Sequence, residues 1–386
     1  MGNQARRITA IFALQVALLL LGPFSLKAED ARQKPAGLYE GETLTEAAGY
    51  PVLYRYIPAD KSQPLLVFIP GDAHLARIFY GYPGGRPEDF ISHWVTRVGH
   101  PFLAISYPMS NPVFEGASPD YNITDWGNQV AEVVAQIVSE NGLTQEVIIC
   151  GWSMGGKIAA AVGKAAKDKP FAISAFVAMS ADPPVPGFLP RANAEGIKMT
   201  AEGYADRTPI YDWFFNAVGQ QNAYNGHTII PKDIYEKDML GAIPVALIDT
   251  GLIYKDNKFI EDTSAALRTG DTFDFSDYPF PVVIHDNSPD DPQNVLLDTS
   301  DWAFIRNRVL IQTVLGGEAF TNLTWPEWER LQQLVATSGS YFTEVVEGNH
   351  FYFIGSAGAR STVEKILQLH ARVQSLPNSK ADTATK

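Results

Sequence analysis

Cysteine is nearly absent: Cys150 is the single one in 386 residues, which rules out an intrachain disulfide and any metal site built on cysteine pairs. Charge is sparse too, at 19% of residues, and it leans acidic, with 30 Lys and Arg against 43 Asp and Glu for a formal charge of −13. A nucleic-acid-binding chain needs basic patches to displace condensed counterions, and no Lys/Arg-rich run of useful length occurs here. Beyond the first thirty residues there is no apolar run approaching the roughly 20 residues that cross a bilayer, and no internal repeat is found. What remains is 46% hydrophobic, ample for a large core, and the length fits one α/β core carrying an insertion.

The first 28 residues form a separate device. Arg6 and Arg7 precede an apolar run from Ile8 to Leu21, and Gly22-Pro23 breaks any helix there. That layout predicts a secretory signal cut after Ala28 and an exported (periplasmic or secreted) protein. The run is too short for a stable membrane span. Cleavage would remove Arg6, Arg7 and Lys27 and no acid, leaving the mature chain more acidic still.

Along the rest, apolar runs bounded by turn residues alternate with helical stretches, the pattern of a mostly parallel, doubly wound sheet. Leu65–Ile69, Phe102–Ser106, Glu146–Cys150 and Ile173–Met179 read as strands. Helices are expected over Phe90–Val98, from Thr124 or Asp125 to about Glu140, and over Lys157–Ala166. From residue 183 to 280 the pattern turns aromatic and turn-rich, with a hairpin around Lys255-Asp256-Asn257-Lys258. Regularity returns with the strand Pro281–Ile284, helical regions around 301–315 and 326–336, a strand over 341–346 and a last helix over 361–374. The expected organisation is a core of residues 29–182 and 281–375, a cap or lid insertion over 183–280, and a disordered polar tail over 376–386.

The chemistry is concentrated in VIICGWSMGGKIAAAV, where Gly151-Trp152-Ser153-Met154-Gly155 joins a strand to a helix. At a G-x-S-x-G turn of this kind the serine is held in a strained conformation and its hydroxyl is pushed out above the sheet's carboxyl edge. The following helix aims its N-terminus, with the N–H of Met154, at an oxyanion formed beside Ser153. Gly151 to Lys157 also begins a G-x-x-x-x-G-K phosphate loop, but Ile158 stands where a Ser or Thr hydroxyl would bind Mg²⁺.

With this elbow, the strand-loop Phe68-Ile69-Pro70-Gly71 before it, a strand-end acid after it, and Gly348-Asn349-His350-Phe351 near the C-terminus, the chain resembles the α/β-hydrolase family over residues 50–182 and 281–375. The resemblance implies the order nucleophile, acid, histidine. Ser153 would be the nucleophile and His350, after the last strand, its base. His285 and His74 stand near other strand ends. For the acid, the loop after Pro281–Ile284 offers Asp290 first, with Asp286 and Asp291 behind it, and Asp182 is the alternative placement, as in the thioesterase branch. The oxyanion donors would be the backbone amides of Met154 and Asp72, with Ala73 the alternative to Asp72. Trp213, Phe214, Phe215 and Tyr211 could wall an apolar pocket or simply pack the insertion. The expected activity is that of an exported serine esterase or thioesterase acting through an acyl-enzyme on a small acyl ester or thioester. An acyltransferase on the same triad and a non-catalytic binding protein of this fold are the rivals. No cofactor or metal ion is implied.

Overall fold

Numbered in chain order, the strands are β1 (Glu42–Ala47), β2 (Tyr50–Ile57), β3 (Leu65–Ile69), β4 (Phe102–Ser106), β5 (Glu146–Trp152), β6 (Ala172–Met179), β7 (Leu252–Lys255), β8 (Lys258–Glu261), β9 (Pro281–His285) and β10 (Thr343–Val345). In the computed structural model eight of them form one sheet of order β1-β2-β4-β3-β5-β6-β9-β10. The structure describes residues 37–185, 196–248, 251–315 and 323–376. The expected signal segment and the tail beyond residue 376 lie outside the described residues.

From β4 to β10 all neighbours are parallel, while β1 and β2 join antiparallel at one edge. Every residue of β3 and β4 is buried, which is why these strands read as unbroken apolar runs instead of alternations. Leu65, Val67 and Ile69 face one core; Leu66 and Phe68 face the other. On the first side lie the helices Ile123–Asn141, Ala159–Ala166 and Thr299–Leu315, and on the second Ile91–Arg97 and Ser356–Gln374. The fold is the doubly wound α/β arrangement that the sequence pattern predicts.

The hairpin β1–β2 is one element that pattern reading passes over, as is the helix Tyr211–Asn225. The hairpin turn is Ala48-Gly49, both at positive φ (51° and 83°), and alanine is not among the residues that announce such a turn. By contrast Asp256 and Asn257, at φ 51° and 59°, close β7–β8 where expected. The helix Ile123–Asn141 is capped two or three residues before Thr124 or Asp125, the N-caps expected from the sequence. Asn122 is its N-cap, accepting from the N–H groups of Thr124 and Asp125 while Asp125 returns the bond in a capping box.

Register places the site. Ile69 pairs with Gly151, Gly151 with Ala178, Met179 with Ile284, and Val345 with His285. The carboxyl ends of β3, β5, β6, β9 and β10 therefore finish side by side, and the loops leaving them converge where open α/β sheets bind ligands.

The insertion between β6 and β9 contains the helices Tyr211–Asn225, Lys232–Met239 and Thr263–Gly270 and the hairpin β7–β8. It is stitched to the core by bridges between His74 and Leu240 and between Ser110 and Ala242, and by the Leu75 N–H donating to the Met239 carbonyl at 2.8 Å.

Two helical glycines separate space from propensity. A Cβ at Gly163 would overlap the backbone carbonyl of Asp277, whereas one at Gly219 would meet nothing within 4 Å. Gly163→Ala is expected to destabilise by about 1–3 kcal/mol through overpacking, although alanine is the better helix former. Gly219→Ala is expected to be neutral or stabilising by up to about 1 kcal/mol. Urea unfolding midpoints of the two variants test both signs.

Candidate active site

Ser153 follows β5 with φ 53°, a left-handed conformation costly for any residue but glycine. Its neighbours leave it space only because they lack side chains. A Cβ on Gly71 would stand 2.7 Å from the Ser153 Cβ, one on Gly151 would stand 2.5 Å from the Gly155 carbonyl oxygen, and one on Gly155 would stand 2.7 Å from the Ile69 carbonyl oxygen. Gly156 lies equally close under the Asp182 carbonyl. The chain then runs through a short 3-10 turn, Ser153–Ile158, before the helix proper. The elbow is locked to the next strand end by the Asp182 N–H donating to the Ser153 carbonyl at 3.0 Å.

His350 comes to the same place from the far end of the chain. Its backbone carbonyl accepts from the indole N–H of Trp152, the residue before Ser153, at 3.0 Å, and the two rings lie 5.3 Å apart. Asn349 anchors the loop to the insertion, donating to the Ala217 carbonyl at 2.9 Å and to Gln220 at 2.8 Å and accepting from Gln221 at 3.0 Å.

The imidazole Nδ1 of His350 meets Asp291 Oδ2 at 2.7 Å, both residues being buried. Burial opposes the imidazolium, but the charge and hydrogen bond of Asp291 more than offset it, and the His350 pKa is raised above the ordinary histidine value. Burial likewise opposes ionisation of Asp291, yet His350 holds its carboxyl below the usual carboxylate range.

The carboxylate at His350 is therefore not the one that the sequence reading puts first. Asp290, one residue earlier, is exposed and its carboxylate accepts only a long 3.4 Å bond from Gln220. The short turn Asp290-Asp291-Pro292 sends consecutive side chains in different directions, so the strand-end position does not by itself select between them. Asp182 is not at His350 Nδ1 either. Its carboxylate pairs with Lys157 at 3.2 Å and accepts from Asn294 at 3.1 Å.

Ser153, Met154, Asp72, Asp182, His350 and Asp291 all border one cavity of about 260 Å³. Trp213 and Phe214 wall it; Tyr211 and Phe215 are not among its lining residues and pack instead on Phe214 and Tyr235. The cavity is more polar than the aromatic insertion implies, because Arg207 and Lys157 also line it. Arg207 grips the Asp72 carboxylate through two hydrogen bonds, one of 3.0 Å, so that this charge is neutralised beside the elbow. Lys157 also donates to the Ile248 carbonyl at 2.9 Å. With both its partners in place, it is not presented to a phosphate.

Sequence reasoning missed the wall opposite the insertion. Asn294 bridges Asp182 and Asp298, the latter at 2.7 Å, and burial together with the nearby Asp182 and Asp301 charges pushes Asp298 up to about 8. Asn294 and Asp298 sit in a π-helical turn, Gln293–Asp298, that no local pattern announces. His74, the other histidine near the elbow, is fully buried against Trp152 and Phe214. Its ring is pushed down to about 3 by burial, and its nitrogens are occupied by the Asp72 carbonyl and the Tyr235 hydroxyl, both at 2.6 Å. It braces the site as a neutral ring. His285 is spent on the Asp286 carbonyl at 2.5 Å.

Donor atoms of Asp286, Asp291 and His350 lie within 4.8 Å of one another. His350 and Asp291 are engaged with each other, and Asp286 accepts from Ser180. A second acidic group, Asp271, Asp274 and Asp277, is countered by Lys164 and Lys167. Among the described residues no helix is long and apolar enough to cross a membrane.

A search of curated proteins finds no match. Among solved structures, an esterase from Rhodococcus sp. ECU1013 is 13% identical with a TM-score of 0.47, covering 87% of this chain and 100% of its own. A thermophilic esterase from Thermogutta terrifontis is 12% identical with a TM-score of 0.42, covering 86% and 98%. A haloalkane dehalogenase from Bradyrhizobium elkani is 12% identical with a TM-score of 0.43, covering 86% and 99%. The profile described as the alpha/beta hydrolase family matches residues 66–360. That span runs from β3 through the elbow and His350 into the last helix, and the chain belongs to the alpha/beta hydrolase family.

Proposed function

We propose that this protein is a serine hydrolase that cleaves a small carboxylic ester or thioester through an acyl-enzyme. The observation that carries the reading is the left-handed Ser153 sharing one cavity with a His350 whose Nδ1 is bound to Asp291 at 2.7 Å. With Nδ1 occupied, Nε2 is the nitrogen left to take the seryl proton. Ser153 Oγ attacks the carbonyl carbon as His350 accepts that proton. The tetrahedral oxyanion is stabilised by the backbone N–H groups of Met154 and Asp72, both at the cavity. Collapse expels the alcohol or thiol, which receives the proton from His350. Water, activated by the same imidazole, then releases the acid.

Asp72 can serve here despite its charge because Arg207 holds the carboxylate. A cavity of about 260 Å³ lies at or below the lower end of small-molecule pockets, roughly 300–1,000 Å³, and supports a short acyl group. The charged N-terminal stretch and apolar run before Ala28 support export as part of the same proposal.

A fluorophosphonate probe is expected to label the native protein, and Ser153→Ala to abolish labelling and ester turnover together. Labelling that survives the substitution excludes Ser153 as nucleophile. In a series of p-nitrophenyl esters, acetate and butyrate should be turned over faster than decanoate.

Because His350 must be neutral to accept a proton and its pKa is raised, hydrolysis should rise with pH through a midpoint above about 6.5. A kcat/KM profile with its midpoint well below that value contradicts the assignment.

Asp291→Asn should lower kcat by as much as about four orders of magnitude, the scale seen when a triad acid loses its charge. Asp290→Asn, at an exposed position, should change stability by no more than about 0.5 kcal/mol and leave kcat nearly unchanged. The reverse ranking would return the role to Asp290.

A further inference from the structure

Behind His350 the hydrogen bonding does not stop at Asp291. Asp286, the first residue after β9, is fully buried. Its Oδ2 accepts from the Ser180 hydroxyl at 2.8 Å and its Oδ1 from the Ser288 N–H at 2.9 Å. Ser180, the first residue after β6, has φ 36°, a conformation that a non-glycine residue holds only against strain. That bend sets its hydroxyl against both the Asp286 carboxyl and, at 3.3 Å, the Asp286 N–H. The Asp286, Asp291 and His350 donor atoms all fall within 4.8 Å of one another.

Two buried carboxyls so close do not both ionise freely; one keeps a proton and donates it to the other. His350 stabilises Asp291 as the anion, which makes Asp286 the later of the two to give up its proton. In keeping with this, burial first and the Asp291 charge second push Asp286 up to about 6. The other groups facing it are few. Tyr352 spends its hydroxyl on the Ile284 carbonyl at 3.1 Å, His285 lies on the same strand with Nδ1 on the Asp286 carbonyl, and Asp182, the next strand-end acid, is paired with Lys157.

We propose that Asp286 is a positioning residue. As the neutral acid it donates a hydrogen bond that fixes the Asp291 carboxylate against His350, and as the anion it places a second negative charge behind the ring. The only exchange is of a proton, lost to solvent as pH rises. The inference rests on His350 being the base of the proposed hydrolysis.

Asp286→Asn keeps a neutral donor of the same shape that never becomes an anion. It should retain wild-type kcat within about fivefold, while the rising limb of the pH profile moves down by about half a pH unit, because the imidazolium loses one facing charge. The same downward shift should appear in an NMR titration of the His350 ring, which needs no substrate. Read below a pH of about 6, where Asp286 still carries its proton, Asp286→Ala, lacking the donor, should lose at least about tenfold in kcat that Asn restores. Should the alanine variant not fold, Ser180→Ala provides the second arm: without the donor that favours the Asp286 anion, the His350 titration should move the same way by less.

A folded Asp286→Asn whose His350 titration coincides with that of the wild type overturns the proposal. So does an Asn variant as inactive as a folded Ala variant, which would make the charge itself the requirement. A shifted His350 titration in a protein that hydrolyses no ester supports the coupling and removes only the hydrolase reading.

Discussion

The site depends on one strained turn. Ser153 is held in the left-handed region at a cost of about 1–3 kcal/mol, and it persists because its surroundings over-determine it. β5 is clamped in register between β3 and β6, and the glycines at 71, 151, 155 and 156 let four backbones approach where a Cβ on any one would collide. The other parts of the site are referenced to this turn. Trp152, one residue before it, holds the His350 carbonyl, and the Ser153 carbonyl holds the Asp182 N–H.

Around that turn the aspartates carry chemically different roles that their environments impose. Asp72 is neutralised by Arg207 and Asp182 by Lys157, while Asp291 stays an anion held by the His350 Nδ1 hydrogen bond. Asp286 and Asp298, with burial as the largest cause, are pushed up to about 6 and about 8. Residue type cannot distinguish these roles. What does so is burial combined with the nearest charge, and both are products of how distant segments pack.

The insertion is more than a cover. Its helix Tyr211–Asn225 supplies Trp213 and Phe214 to the cavity and, through Ala217, Gln220 and Gln221, three of the hydrogen bonds that fix Asn349. Tyr235 meets His74, which in turn packs on Trp152. The loop bearing His350 is therefore tied on one side to the core through Trp152 and on the other to the insertion. Excising the insertion would untie one of the two.

The parallel strands, the elbow and the histidine loop were legible in the sequence, because each is a local property. Burial on both faces produces an unbroken apolar run, a strained strand-to-helix turn requires glycines at fixed offsets, and a last strand delivers its histidine to the same edge. The β1–β2 hairpin was not legible, since Ala48 takes a left-handed turn conformation that alanine does not advertise. Nor was the choice of Asp291 over Asp290, which are adjacent and identical in type. Only tertiary packing turned one toward His350 and left the other in solvent. Likewise the polar character of the cavity wall came from Arg207, Lys157 and Asn294, scattered along the chain and joined only by the fold. Sequence alone determined where the strained serine had to stand, because the glycines that its turn requires are written in neighbouring residues. Which carboxylate meets His350 was decided only by the tertiary structure, because a charge acquires its state from groups far away in the chain.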